Sequence, residues 1–153
     1  MRSTPTSAAC VAMIDVPGGS RVYVDTNIWI YVVQLDRAEH AAARALLDGL
    51  VHAGCRLTTS ELTIAECLYK PAQQGWQASI LAFDRLFHSG AVDILPLDGA
   101  LARRASLHGA RTKLKLLDAI HHVSAIESGC RLLVTNDRRF RASDDLPVLN
   151  LDP

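Results

Sequence analysis

The stretch VYVDTNIWIYVV, residues 22–33, places one carboxylate, Asp25, inside an apolar run. The β-branched and aromatic residues before Asp25 predict a strand that ends at this acid. After Asn27 the pattern fits a strand or a helix, and we favour a helix because Ile28 and Tyr31 share one helical face. A strand that turns into a helix at Asp25 would place this side chain at the carboxyl edge of a sheet, where open α/β folds bind ligands.

The composition is that of one globular domain. The chain has 153 residues, of which 49% are hydrophobic and 21% charged, enough for one core and too few for two ordinary domains. Sixteen basic and sixteen acidic residues balance, so total charge predicts neither a nucleic acid nor a membrane as partner. The four cysteines lie far apart without a C-x-x-C pair, which argues against a zinc site and a disulfide scaffold.

The amino-terminal segment is predicted to be separate from the folded domain. We expect residues 1–20 to form a flexible extension and residues 21–153 to form the domain. The apolar stretch AACVAMI, residues 8–14, is too short to span a bilayer and makes a poor signal-peptide core. No other apolar run approaches membrane length, so we expect a cytoplasmic protein without a membrane contact.

Strand-like and helix-like segments alternate along the chain. Strand patterns cover residues 21–25, 55–59 and 131–136, and weaker patterns that contain proline cover 91–97 and 146–151. Helical patterns cover 37–54, 60–71, 76–90, 98–109 and 118–129, the second opening on a Ser cap and stopping at Pro71. This order predicts a single three-layer α/β domain with a mainly parallel central sheet flanked by helices.

Acidic side chains at strand ends, or on the apolar part of a helix, are the candidate functional residues. They are Asp25, Glu66, Asp118 and Asp137. Helical spacing turns Glu66 towards the side of Leu62 and Tyr69. Each acid also has an ordinary explanation: Asp25 or Asp118 as a helix cap, Asp137 as a turn residue, and Glu66 as an interface or snorkelling residue.

The combination of these acids predicts metal chemistry. Carboxylates that share a crevice disfavour each other's ionisation, so a cation must offset their charge. An all-oxygen donor set without a His and Cys group suits Mg²⁺ or Mn²⁺. Such an ion can activate water, orient a phosphodiester and stabilise the leaving oxygen. The pattern therefore predicts phosphodiester hydrolysis.

Basic clusters flank two of these acids. RTKLK supplies Arg111, Lys113 and Lys115 ahead of Asp118, and DRRFR supplies Arg138, Arg139 and Arg141 behind Asp137. An acidic pocket needs a basic rim to hold a nucleic acid backbone, although a basic run is more often only a solvated face. His121 and His122 differ in facing by about 100° on a helix, so we expect one to pack and the other to be exposed. Neither is needed as a general base if a metal activates the water.

Several blocks together resemble a known family. VYVDTNIWIYVV, TTSELTIAECLYKP (58–71), LKLLDAIHHVSAIESGCRLLVTNDRRF (114–140) and LPVLNL (146–151) resemble the PIN domain, in particular the VapC-type toxin ribonucleases of VapBC toxin–antitoxin pairs. The resemblance implies an Mg²⁺- or Mn²⁺-dependent endoribonuclease that cleaves single-stranded or looped RNA. It departs at Leu117, where a restricted residue is common, and in residues 1–20, which have no counterpart.

The resemblance also implies roles for individual residues and for partners. Asp25, Glu66, Asp118 and Asp137 take the catalytic positions, with Asp25, Asp118 and Asp137 as metal ligands. The polar residues Thr26, Asn27 and Thr135 orient the acids or approach the phosphate, and we add Lys113, Lys115 and Arg138 as substrate-binding residues. A tightly bound antitoxin and a homodimer formed through the helical side are implied as well.

Two other functions compete with this assignment. A non-catalytic PIN-like module for binding or assembly is one, and the presence of all the predicted acids argues against it. A receiver-type phosphoacceptor domain also gathers carboxylates at strand ends. It requires an acid after the middle strand and a Lys at the last one, but Asp98 is better explained as a helix cap and LPVLNL contains no Lys.

Overall fold

The computed structural model describes residues 16–141, 143 and 145–151. The strands are β1 (Arg21–Val24), β2 (Arg56–Ser60), β3 (Asp93–Leu95), β4 (Leu132–Thr135) and β5 (Val148–Asn150). The helices are α1 (Thr26–Val33), α2 (His40–His52), α3 (Glu61–Gln74), α4 (Gln77–His88), α5 (Gly99–Thr112) and α6 (Leu116–Glu127). This confirms the predicted α/β fold, and it includes β3 and β5, which lie within the two weaker patterns that contain proline.

The sheet is five-stranded and all its strand pairs are parallel, in the order β3-β2-β1-β4-β5. β1 lies at the centre beside β4, with Val24 opposite Val134. The backbone N–H of Asp25 continues this ladder by donating to the Val134 carbonyl at 2.9 Å. The carboxyl ends of β1 and β4 therefore bring Asp25 and residues 135–137 to one edge of the sheet.

Helices cover both faces of the sheet. The larger apolar cluster lies under α1, α2, α3 and α4, where Trp29 packs edge-on against Phe87 with ring centroids 6.1 Å apart. On the other face, Tyr23 and Leu133 pack against α6, which in turn packs on α5. Val22 and Val24 point into the larger cluster and Tyr23 points away from it, as strand alternation requires.

Several predicted helix boundaries are wrong. α3 does not stop at Pro71 but continues to Gln74, because the buried proline ring removes a single donor, and Gly75 (φ 67°) then ends the helix in the left-handed conformation. Ser60 occupies the cap position of α3, but its hydroxyl makes no capping bond and pairs with Tyr23 instead. α2 begins at His40, and residues 35–39 lie in the connection before it.

The predicted flexible extension, residues 1–20, falls mostly on residues 1–15. These residues, which include Cys10, lie outside the described residues. Residues 16–20 belong to a turn: the Gly19 N–H donates to the Gly54 carbonyl at 2.8 Å, and Val16 packs against the larger cluster. No helix of the described ranges is long and apolar enough to cross a membrane.

Candidate functional site

Asp25 is at once a helix cap and a buried member of the acidic edge. It is 5% exposed, and its Oδ1 accepts from the Thr26 N–H at 2.8 Å at the start of α1. Its Oδ2 accepts from the Thr135 hydroxyl at 2.6 Å and from the Asn27 amide at 3.2 Å. Asp25 therefore does cap α1, but only through one oxygen, and its other oxygen faces β4.

Glu66 faces Thr26 and His121. Its Oε2 accepts from the Thr26 hydroxyl and lies 2.8 Å from Nε2 of His121. Burial raises the pKa of this carboxyl, but hydrogen bonds from His121 and Thr26 outweigh burial, so the pKa lies below its ordinary value. Leu62, Glu66 and Tyr69 all lie in α3 at spacings that share one side of a helix. Leu62 packs beside α5 and α6 at one end of this side, whereas Tyr69 is 67% exposed.

Asp118 and Asp137 meet at Arg139. The guanidinium donates from Nε to both Asp137 oxygens at 3.0 Å. Its Nη2 also pairs with Asp137 Oδ2 and lies 3.9 Å from Asp118 Oδ2. Hydrogen bonds from Arg139 hold the pKa of Asp137 below its ordinary value. Burial raises the pKa of Asp118, and the charges of Asp137 and Asp25 raise it further, against the lowering effect of Arg139. Asp118 lies in the first turn of α6 and does not cap it.

Thr135 connects Asp25, which lies beside Glu66, with Asp137, which lies beside Asp118. Its hydroxyl donates to Asp25 and accepts from the Asp137 N–H at 2.9 Å. Asn27 reinforces this link, because its amide nitrogen lies 3.3 Å from the Thr135 hydroxyl and its oxygen accepts from the Asn136 N–H at 3.1 Å. Thr26, Asn27 and Thr135 therefore each donate a hydrogen bond to a carboxylate of this site.

The donor set fits a divalent cation in its chemistry. Carboxylate oxygens are the ligands that Mg²⁺ and Mn²⁺ prefer. Burial is the main cause of the raised pKa of Asp118, but Asp137 and Asp25 lie close enough for their charges to raise it further. In the described part of the chain, however, no three His, Cys, Asp or Glu side chains stand close enough to form a metal-binding group. Arg139 bonds Asp137 and approaches Asp118, and thus provides the positive charge between these two acids.

The prediction that one of His121 and His122 would be exposed is wrong, because both are buried. His121 is 2% exposed and lies 3.7 Å from Asp25 Oδ1 as well as beside Glu66. Burial lowers its pKa, but the hydrogen bond to Glu66 and the charge of Asp25 raise it more, so the net shift is upward. The spacing of three residues between Asp118 and His121 was the available sequence signal, because it places both on one face of α6.

His122 connects α6 with α5 through a contact with His108. Its Nδ1 lies 2.8 Å from Nε2 of His108, and the two rings stack with centroids 4.9 Å apart. Burial lowers the pKa of His122, and the neighbouring His108 lowers it further, while Asp145 acts in the opposite direction. This ring is therefore held in its neutral form more firmly than an exposed histidine.

A basic cleft adjoins Asp118. Its volume is about 480 Å³, and its lining residues are Thr112, Lys113, Leu114, Lys115, Asp118, His122, Arg139, Phe140, Arg141 and Ser143. Lys113 adopts a left-handed conformation (φ 59°), which ends α5 and turns the chain towards α6. Arg138 is exposed but does not line this cleft. Of the three basic residues that we predicted to bind substrate, Lys113 and Lys115 thus border the cleft.

Sequence comparison places the chain in a known family. The PIN domain family matches residues 22–146, which include every acid of the site. The chain belongs to the PIN domain family. Among curated proteins, none is significantly similar to it in sequence.

Solved structures of low identity share the PIN fold. VapC20 of Mycobacterium tuberculosis, a sarcin-ricin loop cleaving toxin, is 17% identical over 73% of this chain and 86% of its own, with a TM-score of 0.62. VapBC2 of Rickettsia felis, bound to a promoter DNA fragment, is 18% identical over 86% and 99%, with a TM-score of 0.67. A toxin–antitoxin complex of Klebsiella pneumoniae is 20% identical over 82% and 94%, with a TM-score of 0.60.

Proposed function

We propose that this PIN domain is an Mg²⁺- or Mn²⁺-dependent endoribonuclease that cleaves single-stranded or looped RNA as the toxin of a toxin–antitoxin pair. The observation that carries the proposal is the linkage of Asp25, Glu66, Asp118 and Asp137 at one edge of the sheet through Thr26, Thr135 and Arg139. The fold neighbours support the biological setting, because their names describe a toxin that cleaves the sarcin-ricin loop, a VapBC complex and a toxin–antitoxin complex.

Asp25, Asp118 and Asp137 would hold the divalent cation. When bound, such an ion supplies water activation and stabilises charge on the phosphate and leaving oxygen. The chain's own groups orient these acids: Thr135 and Asn27 fix Asp25 by hydrogen bonds, and Arg139 fixes Asp137. An ion bound between Asp118 and Asp137 requires the exposed Arg139 side chain to turn away, which leaves its guanidinium free to contact phosphate.

The basic residues beside the acids provide the proposed grip on RNA. Lys113, Lys115 and Arg138 are exposed, and the first two border the cleft that contains Asp118. Phosphate contacts from such residues supply sequence-independent affinity and counteract repulsion by the acidic edge. The cleft is therefore the proposed path of the RNA strand towards the acids.

The fold neighbours support protein partners, because two of their names describe a VapBC complex and a toxin–antitoxin complex. Large apolar side chains such as Leu35 and Tyr69, 78% and 67% exposed, lie at the surface of the chain. We propose a cognate antitoxin and a second copy of the chain as these partners, in the cytoplasm.

The proposal is tested with the purified full-length chain, free of any antitoxin. We expect it to cut total cellular RNA when Mg²⁺ or Mn²⁺ is added and to stop when a chelator is added. Sequencing of the cut ends then identifies the RNA and the position of cleavage. RNA that stays intact with either ion, at protein concentrations that bind it, would refute the nuclease proposal.

The second candidate is a PIN-like module that binds RNA or protein without cleavage. It is favoured by the lack of a group of three metal-binding side chains in the part of the chain that the structure describes. The two candidates differ in their response to Mn²⁺. A nuclease binds the ion through Asp25, Asp118 and Asp137 and loses it in Asp118→Asn, whereas a pure binding module shows no saturable Mn²⁺ uptake in calorimetry.

A further inference from the structure

A chain of hydrogen bonds leads from inside the domain to the acidic edge. The hydroxyl oxygen of Tyr23, on β1, lies 2.7 Å from Nδ1 of His121 and 3.0 Å from the Ser60 hydroxyl. Nε2 of the same ring lies 2.8 Å from Glu66, which also accepts from the Thr26 hydroxyl. Side chains from β1, β2, α6, α3 and α1 thus meet in one continuous network.

The chemistry of these groups fixes the direction of the central bond. A glutamate carboxyl group is ordinarily ionised near neutral pH, and an ionised carboxylate can only accept hydrogen bonds. Nε2 of His121 must therefore carry the hydrogen that it shares with Glu66. At Nδ1 the Tyr23 hydroxyl accepts from a protonated imidazole while it donates to Ser60. With a neutral imidazole the single hydroxyl hydrogen of Tyr23 donates to Nδ1 and the Ser60 hydroxyl donates to Tyr23, so both forms complete the network.

Burial makes this network rigid. Tyr23 is fully buried, the His121 side chain is 3% exposed, and the Glu66 side chain is 27% exposed. A buried ring that is hydrogen-bonded at both nitrogens cannot turn without leaving a polar atom unpaired, which is unfavourable away from water. Glu66, the outermost of the three, is therefore held by partners that sit deeper than itself.

We propose that His121, supported by Tyr23, is a positioning residue that fixes the Glu66 carboxylate in the acidic site. This role is separate from metal ligation by Asp25, Asp118 and Asp137, and its effect on turnover rests on the proposed nuclease function. Thr26 completes the link: its hydroxyl donates to Glu66 and its backbone N–H donates to Asp25. A displaced Glu66 would thus disturb the residue that orients Asp25.

Four variants separate positioning from packing. His121→Leu removes both ring hydrogen bonds and keeps an apolar side chain, whereas His121→Gln retains an N–H donor for Glu66. Tyr23→Phe removes only the hydroxyl. Ser124→Ala is the matched control on α6, because Ser124 is 3% exposed and its hydroxyl has no hydrogen-bond partner among the described residues.

The first measurement uses the metal-free full-length chain and needs no activity. In ¹⁵N-histidine NMR spectra we expect a slowly exchanging ring N–H signal from Nε2 of His121. It should disappear in His121→Leu, shift in Glu66→Gln and in Tyr23→Phe, and stay unchanged in Ser124→Ala. A signal that is absent from the wild-type chain, or that is indifferent to Glu66→Gln, overturns the proposal.

The second measurement follows RNA cleavage and Mn²⁺ binding. Loss of a residue that orients a metal site typically lowers activity about 10- to 100-fold, so kcat should fall by this factor in His121→Leu, with KM for RNA and Mn²⁺ stoichiometry unchanged. His121→Gln should restore most of kcat. The double variant with Glu66→Gln should be no slower than the slower single variant, because both act on one unit.

The outcomes distinguish the two proposals. Additive effects in the double variant, or a loss of Mn²⁺ binding in His121→Leu that matches the loss in Asp118→Asn, overturn the positioning role. If the wild-type chain cuts no RNA but shows the His121 signal and its response to Glu66→Gln, the nuclease proposal fails. The hydrogen-bonded placement of Glu66 is then supported.

Discussion

Asp118 is the side chain whose charge is least well compensated in the site. Burial and the neighbouring Asp137 and Asp25 raise its pKa, and Arg139 offsets this only from 3.9 Å. Asp25 differs, because three donors satisfy its two oxygens and one of them starts a helix. Replacing Asp25 therefore tests function and folding together, whereas replacing Asp118 tests function almost alone.

We expect Asp118→Asn to reduce RNA cleavage below detection. In metal-free buffer its free energy of unfolding should equal or exceed that of the wild-type chain, because the amide relieves repulsion among the acids. Asp36→Asn, in the exposed connection after α1, is the charge-matched control and should change neither property. Urea unfolding and gel assays of a labelled RNA check both. A strongly destabilised Asp118→Asn that still cleaves would show that the carboxylate serves the fold.

The paired rings of His108 and His122 predict a pH effect on stability. The pKa of His122 is lowered in the folded chain, so the unfolded chain binds more protons as pH falls through the ordinary value of 6.5. Stability from this group is complete above that pH and is lost below it. His121 has the opposite sign, since its pKa is raised and its contribution is lost as pH increases.

A comparison of the wild-type chain with His108→Gln should separate the effect of His122 on the free energy of unfolding from that of His121. Between pH 7.5 and 5, a range of about one unit or more on each side of an ordinary histidine pKa, the wild-type chain should lose stability relative to His108→Gln. The variant lacks the ring that helps to lower the pKa of His122. His88→Gln, at the exposed end of α4, is the control. Denaturant curves at several pH values give the comparison, and a constant difference would contradict it.

The boundaries of helices and strands were predictable where a cap or turn residue stands at the boundary. Strands β1, β2 and β4 end at residues that favour caps or turns, and Asp98 caps α5 by accepting from the Leu101 N–H at 2.7 Å. The end of α3 was not predictable from Pro71, since a proline is tolerated when its ring packs in the core. That burial depends on other segments and leaves no local sequence signal.

The contact between α5 and α6 has little space to spare. A Cβ atom on Gly109 would lie 2.9 Å from the Ala119 Cβ and 3.2 Å from the Leu114 carbonyl. This close approach holds α5 against the helix that carries Asp118 and His121. Small residues at such a crossing allow the two backbones to pack tightly.

Gly109→Ala should therefore destabilise the chain. Overpacking typically costs about 1–3 kcal/mol, which exceeds the gain of about 1 kcal/mol from the higher helix propensity of alanine. Gly99→Ala, at the start of the same helix with nothing within 4 Å of the added Cβ, should be neutral or stabilising. Thermal unfolding of the pair measures this difference. Equal stability of both variants would mean that α5 shifts without cost.

For the folded chain taken together, the position of charges matters more than their sum. The formal net charge is zero, yet Lys113, Lys115 and Arg141 border one cleft beside the acids. The meeting of Asp25 with residues 135–137 was predictable, because parallel strands deliver their carboxyl ends to one edge. Tyr23 and His121 were missed because their contact depends on α6 lying across β1, and Arg139 was not separated from Arg138 because only a local turn sets which one meets Asp137.

RNA binding should show this arrangement through its salt dependence. With Asp118→Asn to prevent cleavage, an added Lys115→Ala or Arg141→Ala should weaken RNA binding at all sequences and reduce the slope of log K against log salt by about one per lost phosphate contact. Arg131→Ala, exposed at the start of β4 on the opposite edge, carries the same charge change and should leave the slope intact. Fluorescence anisotropy at several salt concentrations measures the slopes. Identical slopes for all variants would remove the cleft from the path of the RNA.

The bond between Asp25 and Thr135 joins residues that are 110 positions apart. β1 is synthesised before β4, and a domain is completed only as its last contacting segments emerge. A nascent polypeptide that has not yet reached Asp137 therefore lacks the complete set of acids and cannot carry the assembled site.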